Sequence, residues 1–67
     1  PYGKISRLFP EEGYGWITTP SGREIYFHEN SVLNYNFNDL QIGTEVQFHE
    51  GKGHHGPQAS TVKVMGR

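Results

Sequence analysis

Cysteine is absent from the 67 residues, which excludes a disulfide framework and any zinc site built on thiolates. A fold this small must then be held by a compact core alone. No apolar run approaches the roughly 18 residues of a membrane-spanning helix, and the start of the chain lacks the hydrophobic stretch of a signal peptide. A soluble, cytoplasmic module is the expectation. Neither sign of charge is in excess. Six Lys and Arg stand against seven Asp and Glu for a net charge of −1, which argues against binding a polyanion through bulk charge. What the chain does have is nine glycines and 13% aromatics beside a single Met, a composition suited to short strands and turns more than to helices. The length allows one small domain over residues 1–67. An opening on Pro1 fits initiator removal and equally excision from a longer polypeptide.

Turn signals recur at Pro10-Glu11-Glu12-Gly13, Pro20-Ser21-Gly22, Asn34 to Asp39, Gly43, and Gly51 to Pro57, and they cut the chain into five short segments. Those segments run over 4–9, 14–19, 24–28, 45–49 and 60–64. Within them apolar and polar residues alternate with the period of a strand, giving each one apolar face. The summed inward set is Ile5, Ile17, Ile25, Phe27, Val46, Phe48, Val62 and Val64, with Leu33 and Leu40 expected to plug the ends. Ser31-Val32-Leu33 is the one place for a helical turn. Five short strands, each with one buried face, are best served by an all-β, five-stranded antiparallel barrel, because closure removes exposed sheet edges.

The outer face of the second and third segments is aromatic where a solvent face should be polar. If the two pair as a hairpin through the Pro20-Ser21-Gly22-Arg23 turn, then Tyr14, Trp16 and Tyr26 become neighbours of one another and of His28. Such a patch fits two placements: packing beneath the Glu29 to Asp39 loop or a partner domain, or a platform for splayed nucleobases. Each base stacked on a ring is worth roughly 1 to 3 kcal/mol, with little regard to base identity. Phe37, in a loop of Asn34, Tyr35, Asn36 and Asn38, fits a base contact at the loop tip and a lid over the core end equally well.

Gly13-Tyr14-Gly15-Trp16-Ile17 and Ile25-Tyr26-Phe27-His28 resemble the two RNA-binding signatures of cold-shock domains. Gly3-Lys4-Ile5, Gly43 to Phe48 and Gly56-Pro57-Gln58-Ala59 are similar to that family's first strand, fourth strand and closing signature. The resemblance spans essentially the whole chain and implies an OB-fold barrel of cold-shock type that binds single-stranded RNA or DNA on its aromatic face. It nominates Lys4, Tyr14, Trp16, Tyr26, His28 and Phe37 as contacts. There are departures. Arg7 stands where the family usually carries an exposed tryptophan, Glu12 where lysine is frequent, and Glu29 where an aromatic follows the histidine. Arg7 offers a guanidinium that stacks on a base and meets a phosphate, while Glu12 and Glu29 repel phosphates. A narrower resemblance, in Arg-Leu-Phe-Pro-Glu, Gly-Arg-Glu-Ile-Tyr-Phe-His and Asn-Ser-Val-Leu, is to cold-shock-like modules fused behind a ribosome-hibernation factor domain, which implies ribosomal RNA as ligand.

Catalysis is not indicated. Ser6, Ser21, Ser31 and Ser60 have no histidine and acid at a recognisable spacing, and Gly13-Tyr14-Gly15 enters a strand without the Gly-Lys-Ser of a phosphate loop. His49, His54 and His55 cluster in sequence, but adjacent side chains on an extended loop diverge and no third ligand is fixed, so neither a metal nor a cofactor is expected. The reading is an RNA-chaperone-like or RNA-tethering module, monomeric as an isolated domain, with no membrane partner. Its competitor is a protein-interaction barrel that docks a partner through the same aromatic face.

Overall fold

Each alternating segment becomes a strand. The computed structural model describes residues 1–53 and 56–65, and its strands are β1 (Tyr2–Phe9), β2 (Tyr14–Thr18), β3 (Glu24–His28), β4 (Glu45–Gly53) and β5 (Gly56–Val64). They close into a barrel in the order β1-β2-β3-β5-β4, the expected five-stranded OB-type architecture. A ring with an odd number of strands cannot be antiparallel throughout. Among the described residues the one parallel strand pair is β3 with β5, in register at Tyr26 and Gln58 and continued by a bridge between Val32 and Val62.

The alternation delivers Ile5, Ile17, Ile25, Phe27, Val46, Phe48 and Val62 to the interior, all essentially inaccessible. Phe37, Leu40 and Ala59 complete the core, with Leu8, Val32 and Val64 packed partly buried against it. Leu40 plugs one end as expected. Leu33 does not: the residue is 58% exposed, because its backbone N–H is drawn to the Val62 carbonyl (2.9 Å) and Val32 packs against the core instead. The helical turn also falls earlier than Ser31-Val32-Leu33 suggests. It is a 3₁₀ turn at Glu29–Ser31, where the His28 ring accepts from the Asn30 N–H, and a second at Phe37–Asp39 is capped the same way by Asn36. A side-chain acceptor ahead of each turn satisfies an otherwise orphaned donor and so sets where the turn begins.

Two departures from simple alternation shape the outer face. Between Ile5 and Arg7 the register of β1 on β2 shifts, so that Ile5 lies opposite Ile17 but Arg7 lies opposite Trp16 and Phe9 opposite Tyr14. Uninterrupted alternation would send Arg7 and Phe9 inward with Ile5. The bulge at Ser6, whose hydroxyl donates to the Trp16 carbonyl, turns both outward and puts Leu8 against the core. Gly15 is the second device: a Cβ there would stand 2.7 Å from the Arg7 carbonyl oxygen and 2.9 Å from the Phe27 ring, so glycine alone lets β2 lie this low.

The connection expected over Gly51 to Pro57 is mostly strand. β4 and β5 stay paired out to Gly53 opposite Gly56, because backbone pairing continues whatever the side chains are. His54 and His55, weighed above as metal ligands, lie outside the described residues. An ion pair between Arg23 and Glu50 (Nη1 to Oε1, 3.1 Å) ties the β2–β3 turn to β4. The hydrogen bond from Arg23 holds the Glu50 carboxyl below its ordinary range, and the carboxylate in turn raises the Arg23 guanidinium. Among the described residues no helix is long and apolar enough to cross a membrane.

Candidate nucleic-acid interface

On the outer face of β1, β2 and β3 the side chains fall into cross-strand rows. Phe9, Tyr14 and His28 form one row; Arg7, Trp16 and Tyr26, extended by Gln58 of β5, form the next; Lys4, Thr18 and Glu24 form the third. The hairpin pairing expected of Tyr14, Trp16, Tyr26 and His28 is therefore present, with Tyr14 opposite His28 and Trp16 opposite Tyr26.

The rings run in contact. Phe9 stacks on Tyr14 with centroids 4.8 Å apart and planes 24° from parallel, Tyr14 is 5.4 Å from Tyr26, and Trp16 meets Tyr26 edge-on at 5.6 Å. These separations are those of favourable aromatic pairs, so each ring buttresses the next and is half-buried. A groove of about 650 Å³ runs along three of these rings, Tyr14, Trp16 and Tyr26, and is lined also by Glu24, His28, Gly56, Pro57 and Gln58. The Gly-Pro-Gln segment of β5 thus forms the far bank. Nothing in the alternation of β2 and β3 signals that bank, since β3 and β5 meet only through barrel closure.

His28 is fixed by its cap. Its Nδ1 accepts from the Asn30 backbone N–H at 3.1 Å, so in the neutral ring the hydrogen sits on Nε2 and His28 offers the groove a donor. Lys4 is exposed at the edge of the face. Arg7 is engaged: its Nη2 lies 2.9 Å from Glu24 Oε1 and its guanidinium carbon 5.7 Å from the centroid of the Trp16 ring.

Phe37 is the correction. It is only 7% exposed and meets Phe27 edge-on at 6.1 Å, so the lid over the core end is its place and the loop tip is not. The 3₁₀ turn at Phe37–Asp39 carries the ring inward, while Tyr35, 48% exposed, is left on the loop surface. Phe9 was missed because the Ser6 bulge reverses its face. Glu29 sits at the rim with its carboxylate lying against Gly13, where a Cβ would come within 2.8 Å of it.

A closed five-stranded barrel carrying contiguous aromatic rows and a groove beside them defines a single-strand nucleic-acid-binding module of the OB type. The model of the 'Cold-shock' DNA-binding domain matches residues 2–65. Among similar proteins, a cold shock-like protein of Thermotoga maritima is 35% identical over 94% of this chain and 96% of its own length. The cold shock protein CspB of Geobacillus stearothermophilus is 35% identical over 90% and 91%, and the major cold shock protein of Streptococcus pyogenes is 30% identical over 94% of each. The chain belongs to the cold-shock domain family. These relatives do not bear out the narrower resemblance to a module fused to a ribosome-hibernation factor.

Proposed function

We propose that this protein binds single-stranded nucleic acid, chiefly RNA, by stacking bases on Phe9, Tyr14, Trp16 and Tyr26, with His28 donating from Nε2 and Lys4 meeting a phosphate. The observation that carries this reading is the unbroken run of rings from Phe9 through Tyr14 and Tyr26 to Trp16, at 4.8 to 5.6 Å. Successive bases can follow Tyr14, Tyr26 and Trp16 along one open groove. Contacts of this kind are sequence-tolerant and individually modest. They suit an RNA chaperone, which holds unpaired segments long enough to keep inhibitory pairing from re-forming, or a tether of a larger protein to RNA. Ribosomal RNA is one strand this chemistry accepts. The domain acts as a cytoplasmic monomer, needs no cofactor and catalyses no reaction.

Trp16 is the only tryptophan, so its emission reports on the centre of the face. Titration with a short oligopyrimidine is expected to quench it. Unchanged emission together with unaltered electrophoretic mobility at low salt would overturn the reading and favour a protein-docking face.

A further inference from the structure

Glu24 is an acid on the bank of a groove meant for a polyanion, and it has a specific partner. The Arg7 side chain leaves β1, crosses above Trp16 of β2 and ends on the Glu24 carboxylate of β3, 2.9 Å away. Its guanidinium carbon stands 5.7 Å from the centroid of the Trp16 ring, the separation of a cation–π contact. The guanidinium thus occupies the surface a base needs, and its charge is already neutralised. Both partners are substantially exposed, with 56% and 43% of their side chains accessible. A pair of that kind is weak and readily exchanged.

We propose that Glu24 sets how tightly, and with what salt dependence, this protein takes a single strand, by holding Arg7 over Trp16. The inference rests on the strand-binding reading of this face. An incoming strand takes the guanidinium from the Glu24 carboxylate onto one of its phosphates and stacks a base on the ring so uncovered. The exchange swaps one anion for another. Arg7 therefore adds almost nothing to net counterion release in the natural protein, because the freed Glu24 takes up a cation as the phosphate gives one up.

The test is anisotropy titration of a fluorescently labelled oligothymidylate over a range of salt, with the natural protein, Glu24→Gln, Arg7→Gln and the double variant. Glu24→Gln is expected to bind about two- to fivefold more tightly at low salt, the reach of an exposed pair. Its log–log salt slope should steepen by about 0.7, one single-strand phosphate. Both gains should vanish when Arg7 is also replaced. Unchanged affinity and slope, or a gain that persists in the Arg7→Gln background, overturns the clamp while natural-protein binding leaves the face as the strand site. Weaker binding by Glu24→Gln makes Glu24 a direct base contact and also overturns it. Absence of binding by the natural protein overturns the strand-binding reading itself, and the clamp with it. Circular dichroism of the variants, whose substituted side chains are exposed, checks that each remains folded.

Discussion

Tyr26 carries more of the candidate interface than any neighbour. It lies opposite Trp16 on one side and Gln58 on the other, and its ring touches both Tyr14 and Trp16. Replacing it with alanine removes a stacking surface and the support of two more. Tyr26→Ala should therefore lose about 1 to 3 kcal/mol of binding, roughly five- to hundredfold in affinity, measured by titration with one oligonucleotide at fixed salt. The core beneath is formed by Ile25 and Phe27, not by Tyr26, so the variant should retain a cooperative thermal transition. Binding within twofold of the natural protein would mean that the strand does not cross β3.

At the scale of the element, the bulge in β1 decides which side chains exist on the outer face. Deleting Ser6 would remove the bulge yet leave Ile5 and Leu8 inward and Arg7 and Phe9 outward, because those residues already face consecutive partners on β2. What the deletion removes is the Ser6 hydroxyl bond to the Trp16 carbonyl and the added local twist of the bulge. The expected outcome is a cooperative melt, followed by circular dichroism, at a lowered temperature, and loss of the cooperative melt would show that the barrel needs the bulge to close. The Arg23–Glu50 pair gives a gentler test. Because the folded Glu50 carboxyl is held below its ordinary value of 4.5, the pair's stabilisation is present above that range and fades as pH falls through the folded value. Acidification should lower the melting temperature less in Glu50→Gln than in the natural protein; an equal fall would show that the pair is inert. These elements also mark what the sequence could disclose. Alternation made Ile17, Ile25, Phe27, Val46 and Phe48 legible as core and Tyr14, Trp16 and Tyr26 as outer face, because a period of two is a local property. Phe9, Leu33 and Phe37 were not legible. Their directions depend on a one-residue bulge, on a hydrogen bond to a distant strand and on a capped turn, none of which leaves a periodic trace. The far bank at Pro57 and Gln58 exists only once the barrel closes.

For the whole molecule, the near balance of charge matters more than any single ion pair. With a net charge of −1 and Arg7 already engaged by Glu24, a bound strand should have only about two or three phosphates neutralised. The log–log salt slope for a single strand should then be about −1.5 to −2. A slope steeper than about −4 would make electrostatics, not stacking, the main source of affinity.

Among the described residues, β3 meets β5 at a single register pair, Tyr26 with Gln58, whereas β4 and β5 are matched along their length. That seam is where the barrel should breathe first, since local opening begins where backbone pairing is sparsest. Both flanks of the seam line the groove, so a strand bound as proposed would lie across it like a suture. Occupancy and closure are then one equilibrium, and saturating oligonucleotide stabilises the shut form by mass action. Amide exchange at Gln58 and Ala59 should slow under those conditions by a larger factor than exchange across β1 and β4, while uniform slowing would place the hinge of the molecule elsewhere.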